Sequence, residues 1–201
     1  MLLKDYIPSA KKNLRAFFSG IAFNSSKVRR NDIFFAIKGS NFDGNKFIPT
    51  AIKKGCRIIV TDKKIKKKYN GILIIYTDNV RKLLAEVSFK IYKNLPKNLV
   101  AVTGTNGKSS VSDFFYQILK LNNTKVASIG TLGVRSDSIN FDLSNTTIDP
   151  IQLGRILNNL KEKGVDNVIM EASSHGLEQH RLDGLLFNLG IFTNFSQDHL
   201  D

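Results

Sequence analysis

One stretch restricts the possible folds of this chain more than any other: Leu99-Val100-Ala101-Val102-Thr103-Gly104-Thr105-Asn106-Gly107-Lys108-Ser109-Ser110. The apolar run Leu99 to Val102 reads as a buried strand, and it breaks into a turn that contains Gly104 and Gly107. Beyond the turn, Val111, Phe114, Phe115, Ile118 and Leu119 recur at i, i+3, i+4, i+7 and i+8, one apolar face of a helix. A strand that passes through glycines straight into a helix opening with Lys-Ser has the layout of a phosphate-binding loop. In such a loop backbone N–H groups and the positive end of the helix dipole converge on a polyphosphate. Lys108 would reach the terminal phosphates, and the Ser109 hydroxyl would ligate the magnesium that accompanies them. The general pattern has four residues between its first glycine and the Gly-Lys pair; here Thr105 and Asn106 alone separate Gly104 from Gly107. The other reading is a Gly-Asn-Gly turn that simply joins a strand to a helix.

The 201 residues suit one large or two small domains, and 42% hydrophobic with 23% charged residues is the balance of a globular protein. No apolar run reaches the roughly 18 residues of a membrane span. The opening Met1-Leu2-Leu3-Lys4-Asp5-Tyr6-Ile7-Pro8 is too polar for a secretory signal. Cys56 is the single cysteine, which leaves no disulfide framework and no cysteine metal site; the reading is a cytosolic chain. A net charge of +13 points to an anionic partner. The densest cluster, Lys63, Lys64, Lys66, Lys67 and Lys68, lies between two apparent strands and reads as a solvated loop. No nucleic-acid-binding signature accompanies the charge, so no nucleic-acid partner is expected.

Strands alternate with helices along the chain, the pattern of an α/β protein. In residues 1 to 95, a helix is expected from Ser9 through Phe18, then strands at Asp32–Ile37, Arg57–Thr61 and Ile72–Tyr76. A short helix through Ala51 and Ile52 should stop at Gly55, and Asp78 should cap a helix carrying Val80, Leu83, Leu84, Val87 and Ile91. Asn94 to Asn98 reads as a linker. Residues 96 to 201 form a second α/β unit. Its further strands are expected at Val126–Ile129, Ile139–Leu143 (short), Asn167–Glu171 and Leu189–Thr193, with a helix opening at Asp149-Pro150.

Ligands of open parallel sheets sit beyond the carboxyl ends of the strands. Three strands here end in polar groups: the Gly-rich loop after Val102, Glu171-Ala172-Ser173-Ser174-His175 after Met170, and Asp198-His199 after Thr193. A strand-end carboxylate beside a phosphate loop suits magnesium, which prefers hard oxygen donors, and His199 could add a nitrogen. The bland reading of Glu171 is a helix-cap or surface carboxylate. His175 and His180 read as structural or substrate-orienting.

The loop Thr103-Gly104-Thr105-Asn106-Gly107-Lys108-Ser109 resembles the ATP loop of the Mur ligases and folylpolyglutamate synthetases, which share its shortened spacing. Within that superfamily, Ile129 to Gly133, Asn145-Thr146-Thr147, the long run Met170 to Arg181 and the closing Thr193 to Asp201 resemble the MurE type. Ser25 to Val28 with Asp32 to Gly39 resembles the family's UDP-binding domain. Asn24-Ser25-Ser26 stands where the family has Asp-Ser-Arg, a departure that touches a contact of the UDP-binding domain; two others are chemically mild, Ala172 for valine and Ser109-Ser110 for two threonines. The Glu171 to Arg181 run argues against the related MurF type.

The resemblance implies a small N-terminal UDP-binding α/β domain followed by the first part of a mainly parallel, P-loop-type ATPase domain. It implies that Gly104, Thr105, Asn106, Gly107, Lys108, Ser109 and Ser110 hold ATP, and that Ser109, Glu171 and His199 bind Mg²⁺. Lys108, Glu171 and His199 would be the catalytic groups. Phe23, Ser25, Ser40, Asn41 and Phe42 would hold the UDP-sugar; Asn145, Thr146, Thr147, Ser173, Gln179 and Arg181 would line the muramoyl-peptide channel. The implied reaction joins a diamino acid, meso-diaminopimelate in the commoner case, to UDP-MurNAc-L-Ala-D-Glu through an acyl phosphate, in a cytoplasmic and monomeric enzyme of peptidoglycan precursor synthesis. Family members are far longer, so residues 1 to 201 alone are expected to give no ligase turnover. The alternative of another class is a nucleotide- or UDP-sugar-binding remnant without catalysis.

Overall fold

The computed structural model describes residues 1–7, 10, 15–39 and 42–196, which divide into two compact units, Met1–Lys90 and Ile91–Asp201. The first unit runs α1 (Leu3–Tyr6), β1 (Ile21–Ala22), β2 (Ile33–Phe35), α2 (Ile48–Lys53), β3 (Ile58–Thr61), β4 (Leu73–Tyr76) and α3 (Val80–Ile91). Its four strands form one parallel sheet in the order β1-β2-β3-β4. The two central strands are buried along their whole length, which is why they read as unbroken apolar runs. Phe34 and Ile59 pack with Val28, Ile48, Ala51 and Cys56 in one cluster.

Two expectations fail in this unit. Half of the expected opening helix (Ser9, Lys11 to Leu14) lies outside the described residues, but Ala16 to Phe18 are not helical. Phe17 instead bridges Leu2 antiparallel, and the Phe18 amide donates to the Met1 carbonyl. The cap of α3 is Asn79, not Asp78: Asn79 Oδ1 accepts from the Lys82 amide at 2.9 Å, the bond that an N-cap side chain makes to the third helical residue.

The lysine run is solvated, as expected, and carries no regular element; Ile65 and Tyr69 anchor it to the core. One member does more. Lys63 Nζ donates to Asp43 Oδ2 at 2.6 Å, while Asp43 Oδ1 accepts from the Asn45 amide at 3.0 Å at the start of a 3₁₀ turn. The Lys63 ammonium and the Asn45 donors pull the Asp43 carboxyl down to about 2.

The second unit runs β5 (Asn98–Thr103), α4 (Lys108–Leu121), β6 (Val126–Gly130), β7 (Gly133–Ser136), β8 (Asn140–Phe141), α5 (Pro150–Glu162), β9 (Asn167–Glu171), α6 (Ser174–Glu178) and β10 (Leu189–Phe192). Its six-stranded sheet has the order β10-β5-β9-β6-β7-β8, with the first four strands parallel and the last two antiparallel. The short strand expected at Ile139–Leu143 shrinks to β8, and β7, absent from the sequence reading, pairs between it and β6. Asp149 caps α5 as read, its Oδ1 accepting from the Ile151 and Gln152 amides at 3.0 Å. Leu153, Ile156, Leu157 and Leu160 form the buried face of that helix.

The apolar face of α4 is only half used. Val111 and Phe115 pack on Val100, Val102 and Ile169, whereas Phe114 is 61% and Ile118 58% exposed. The helix lies over β5, β9 and β6, and these strands cover only the part of the stripe nearest the sheet.

Because Asp43 titrates lower in the folded chain than its ordinary 3.8, its pair contributes stability fully present above about pH 4 and lost as pH falls toward 2. Asp43→Asn should therefore lower the melting temperature at pH 6 but leave it near that of the parent at pH 2, as followed by circular dichroism.

Candidate functional site

Parallel pairing of β5 with β9 sets Val102 opposite Glu171, so the Gly-rich loop and the carboxylate leave the sheet side by side. Both loop glycines have positive φ: Gly104 at 132° and Gly107 at 83°, the latter directly before α4. At Gly104 there is also no room for a side chain, since a Cβ would overlap the Thr193 hydroxyl and lie 2.9 Å from the Asn194 carbonyl oxygen.

The segment after β10 holds this loop in shape. The Thr105 amide donates to the Asn194 carbonyl at 3.1 Å, and the Asn106 amide donates to Asn194 Oδ1 at 3.0 Å. Asn194 Nδ2 donates in return to the Asn106 carbonyl at 3.1 Å, and the Thr193 hydroxyl donates to the same oxygen at 2.6 Å. The Thr105 and Asn106 amides thus serve the loop's own architecture. The donors aimed outward are those of the first turn of α4, which have no intrahelical acceptor. The Lys108 ammonium arches over the loop, donating to the Gly104 carbonyl at 2.7 Å and the Thr105 carbonyl at 3.0 Å.

Glu171 is 3% exposed, so the surface-carboxylate reading fails. Its burial is matched by donors: Ser109 Oγ at 3.0 Å and Thr131 Oγ1 at 3.1 Å on Oε2, and the Thr131 amide at 2.9 Å on Oε1. A Cβ at Gly130 would overlap the carboxylate. Thr105 to Ser110, Thr131, Thr146, Glu171 and Ser173 line a cleft of about 320 Å³.

Next to the cleft-lining Thr146 and Ser173, the buried Thr147 hydroxyl donates to the Glu171 main-chain carbonyl at 2.9 Å and accepts from the Ser173 amide at 2.9 Å. Ser173 Oγ caps α6 through the Gly176 amide at 3.1 Å, and Gly176 has no side chain because Thr147 occupies that space. Arg181 donates through Nη1 to the Thr147 carbonyl and through Nε and Nη2 to Gln179 Oε1 at 3.2 and 2.8 Å. Its guanidinium therefore braces the Thr147 segment against the turn after α6. His180, at a positive φ of 55°, makes that turn and pairs through Nδ1 with Asp183 Oδ2 at 3.0 Å.

The structure thus brings together Gly104 to Ser110, Glu171, Thr146, Thr147, Ser173, Gln179 and Arg181. Asn145 is exposed and donates to Ser144 Oγ at 3.3 Å. His199 lies outside the described residues, as do Ser40 and Asn41. Phe23, Ser25 and Phe42 belong to the first unit; Phe42 is 73% exposed and Phe23 37%. Among the described residues no group of three His, Cys, Asp or Glu side chains could cage a metal. The Ser109 hydroxyl beside Glu171 Oε2 is nonetheless a pair of hard oxygen donors of the kind Mg²⁺ takes together with phosphate oxygens and water. Thr131 and Asn194 were not singled out as site residues; the only signal for either was its place inside a motif ending a strand.

The Mur ligase middle domain model matches residues 102–201, and the model for the Mur ligase family catalytic domain matches residues 18–97. The chain belongs to the Mur ligase family. A UDP-N-acetylmuramoyl-L-alanyl-D-glutamate--2,6-diaminopimelate ligase of Rickettsia montanensis is 44% identical over 198 residues, which are 94% of this chain and 41% of the relative. The Brucella melitensis ligase of the same name is 41% identical over 183 residues, 91% of this chain and 38% of the relative. A solved structure of a ligase with this name superposes with a TM-score of 0.80 at 28% identity, covering 94% of this chain and 38% of that one. A Thermotoga maritima MurF ligase in complex with ADP reaches 0.54 at 25% identity, over 87% and 37% of the two chains. This Mur ligase chain thus spans about two-fifths of the length of the curated relatives it matches. No helix among its described residues is long and apolar enough to cross a membrane.

Asn194→Ala removes one acceptor of the Asn106 amide but keeps the main-chain bond to Thr105. Loss of a bond worth about 1 kcal/mol should speed hydrogen exchange at Asn106 roughly fivefold, with little change at Thr105, as read by NMR.

Proposed function

We propose that this chain forms the N-terminal and ATP-binding part of a ligase that adds 2,6-diaminopimelate to UDP-MurNAc-L-Ala-D-Glu at the expense of ATP. The observation that carries the reading is the phosphate-loop hydroxyl of Ser109 hydrogen-bonded to the buried strand-end carboxylate of Glu171, with Thr146 and Ser173 lining the same cleft. The names and 41–44% identity of the Rickettsia and Brucella relatives support the choice of substrate and amino acid.

In this reading residues 1 to 95 bind the UDP-sugar through Phe23, Ser25 and the Ser40-Asn41-Phe42 turn, and residues 96 to 201 begin the ATPase domain. The first-turn amides of α4 and the Lys108 ammonium hold the ATP phosphates, and Lys108 leaves its loop carbonyls to do so. Ser109 and Glu171, with His199, hold Mg²⁺. When bound, the ion neutralises charge on the phosphates and orients the γ-phosphoryl group. Asn145, Thr146, Thr147, Ser173, Gln179 and Arg181 position the muramoyl peptide so that its terminal carboxylate faces the γ-phosphorus. An oxygen of that carboxylate attacks, the bond to the β,γ-bridging oxygen breaks, and ADP leaves with the bridging electron pair. The amine of the diamino acid then adds to the acyl carbon of the acyl phosphate, loses a proton and expels inorganic phosphate, leaving the amide. Lys108 stabilises the charge that shifts onto the departing phosphate oxygen during the first step.

Calorimetric titration of the 201-residue chain with ATP and Mg²⁺ tests the nucleotide half of the reading. Binding by the parent chain, weakened at least about tenfold in Lys108→Ala, is expected from loss of a charge-assisted contact to phosphate. A parent chain that binds no ATP, or a variant that binds it equally well, would overturn it.

A further inference from the structure

The hydrogen bonds around Glu171 single out a residue with no assigned part in the site. Thr131 occupies the two-residue turn between β6 and β7, where Gly130 pairs with Gly133. Among the described residues it engages both oxygens of the carboxylate: its amide donates to Oε1 at 2.9 Å, and its hydroxyl donates to Oε2 at 3.1 Å. Ser109 Oγ meets Oε2 as well, at 3.0 Å. The second partner of the Thr131 hydroxyl is Thr146 Oγ1 at 3.0 Å. A carboxylate only accepts, so the single Thr131 hydroxyl proton goes to Oε2, and the Thr146 hydroxyl must be the donor to Thr131 Oγ1. The order Thr146 to Thr131 to Glu171 leaves one rotamer for Thr131 and one orientation for the carboxylate. Gly130 is the other half of the device. A side chain there would overlap the carboxylate, so the hairpin backbone can close directly on it.

We infer that Thr131 is a positioning residue for Glu171, setting the carboxylate orientation in which Oε2 meets Ser109 and a divalent cation can be shared between them. The inference rests on the reading of Ser109 and Glu171 as the cation pair of an ATP site. Thr131 does not touch the nucleotide phosphates in this scheme. It acts through Glu171, as an outer partner that orients a metal-binding carboxylate, a role whose loss typically lowers metal affinity about 10- to 100-fold. Its link to Thr146 also joins the cation pair to a residue of the proposed muramoyl-peptide wall.

The test separates cation coordination from loop structure. ATP affinity of the 201-residue chain is measured by calorimetry with EDTA and with increasing MgCl₂, together with the melting temperature, for the parent, Thr131→Val, Thr131→Ser and Glu171→Gln. Thr131 is exposed, so valine, which keeps the amide and the shape but lacks the hydroxyl, should melt like the parent. The expected result is that Thr131→Val keeps its Mg²⁺-free ATP affinity and needs about tenfold more Mg²⁺ for the same enhancement. Thr131→Ser should behave as the parent, and Glu171→Gln should lose the enhancement. A Thr131→Val chain with the parent's Mg²⁺ requirement overturns the inference, as does a serine variant as impaired as valine. Equal loss of ATP affinity with and without Mg²⁺ also overturns it, since that is the mark of a damaged loop. A parent chain that binds ATP but gains nothing from Mg²⁺, or that binds no ATP, instead fails the functional reading on which the inference rests.

Discussion

The parallel register of β5 against β9 is the constraint on which the rest of the second unit depends. It places Val102 opposite Glu171, so the glycine loop and the buried carboxylate emerge at the same height and on the same edge. A shift of one residue would turn the Glu171 side chain to the other face of the sheet. Register is therefore secured from several directions. Val100, Val102 and Ile169 are buried together under α4, and the Ala172 amide continues the ladder past the strand end by donating to the Val102 carbonyl at 2.8 Å.

Burying a carboxylate is costly unless its oxygens are hydrogen-bonded, and the surrounding elements are arranged to meet that cost. Ser109 approaches from α4, and Thr131 from the β6–β7 turn. Thr147, ahead of α5, takes the main-chain carbonyl of the same residue. Glu171 thus draws together three segments far apart in the chain. The absence of side chains at Gly130 and Gly176 is part of the same arrangement, because each would occupy space already filled by Glu171 or Thr147.

The loop is held from the opposite side by neutral groups. Thr193 and Asn194 bond its main chain, the Ser196 amide donates to the Thr105 hydroxyl, and this segment leads toward Asp198 and His199 in the sequence. Two of the loop amides, of Thr105 and Asn106, are consumed in this way, whereas the first-turn amides of α4 have no intrahelical acceptor. The short spacing between Gly104 and Gly107 has a physical counterpart here. The short loop is held in shape by the segment after the neighbouring strand β10.

The amino-acid sequence by itself determined the α/β class, the order of most strands and helices, and the identity of the loop. Each rests on local periods, caps and glycines that act within a few residues. The central strands of both units were legible because burial on both faces leaves unbroken apolar runs, and α5 was legible because Asp149-Pro150 is a complete start signal. The motif resemblance brought Glu171 and Arg181 into one site, though not what they touch. Only the tertiary structure decided that Arg181 braces the Thr147 carbonyl, that Thr131 folds back onto Glu171 and that Asn194 locks the loop. These contacts join residues 34, 40 and 88 positions apart, and no local pattern encodes such distances. The same holds for the errors. Asn79 rather than Asp78 caps α3 because helix phase, set by packing of Val80, Leu84 and Val87, selects the cap among adjacent polar residues. Phe114 and Ile118 stay exposed because apolar periodicity states which face a helix could bury, while the neighbouring strands decide how much of it is covered.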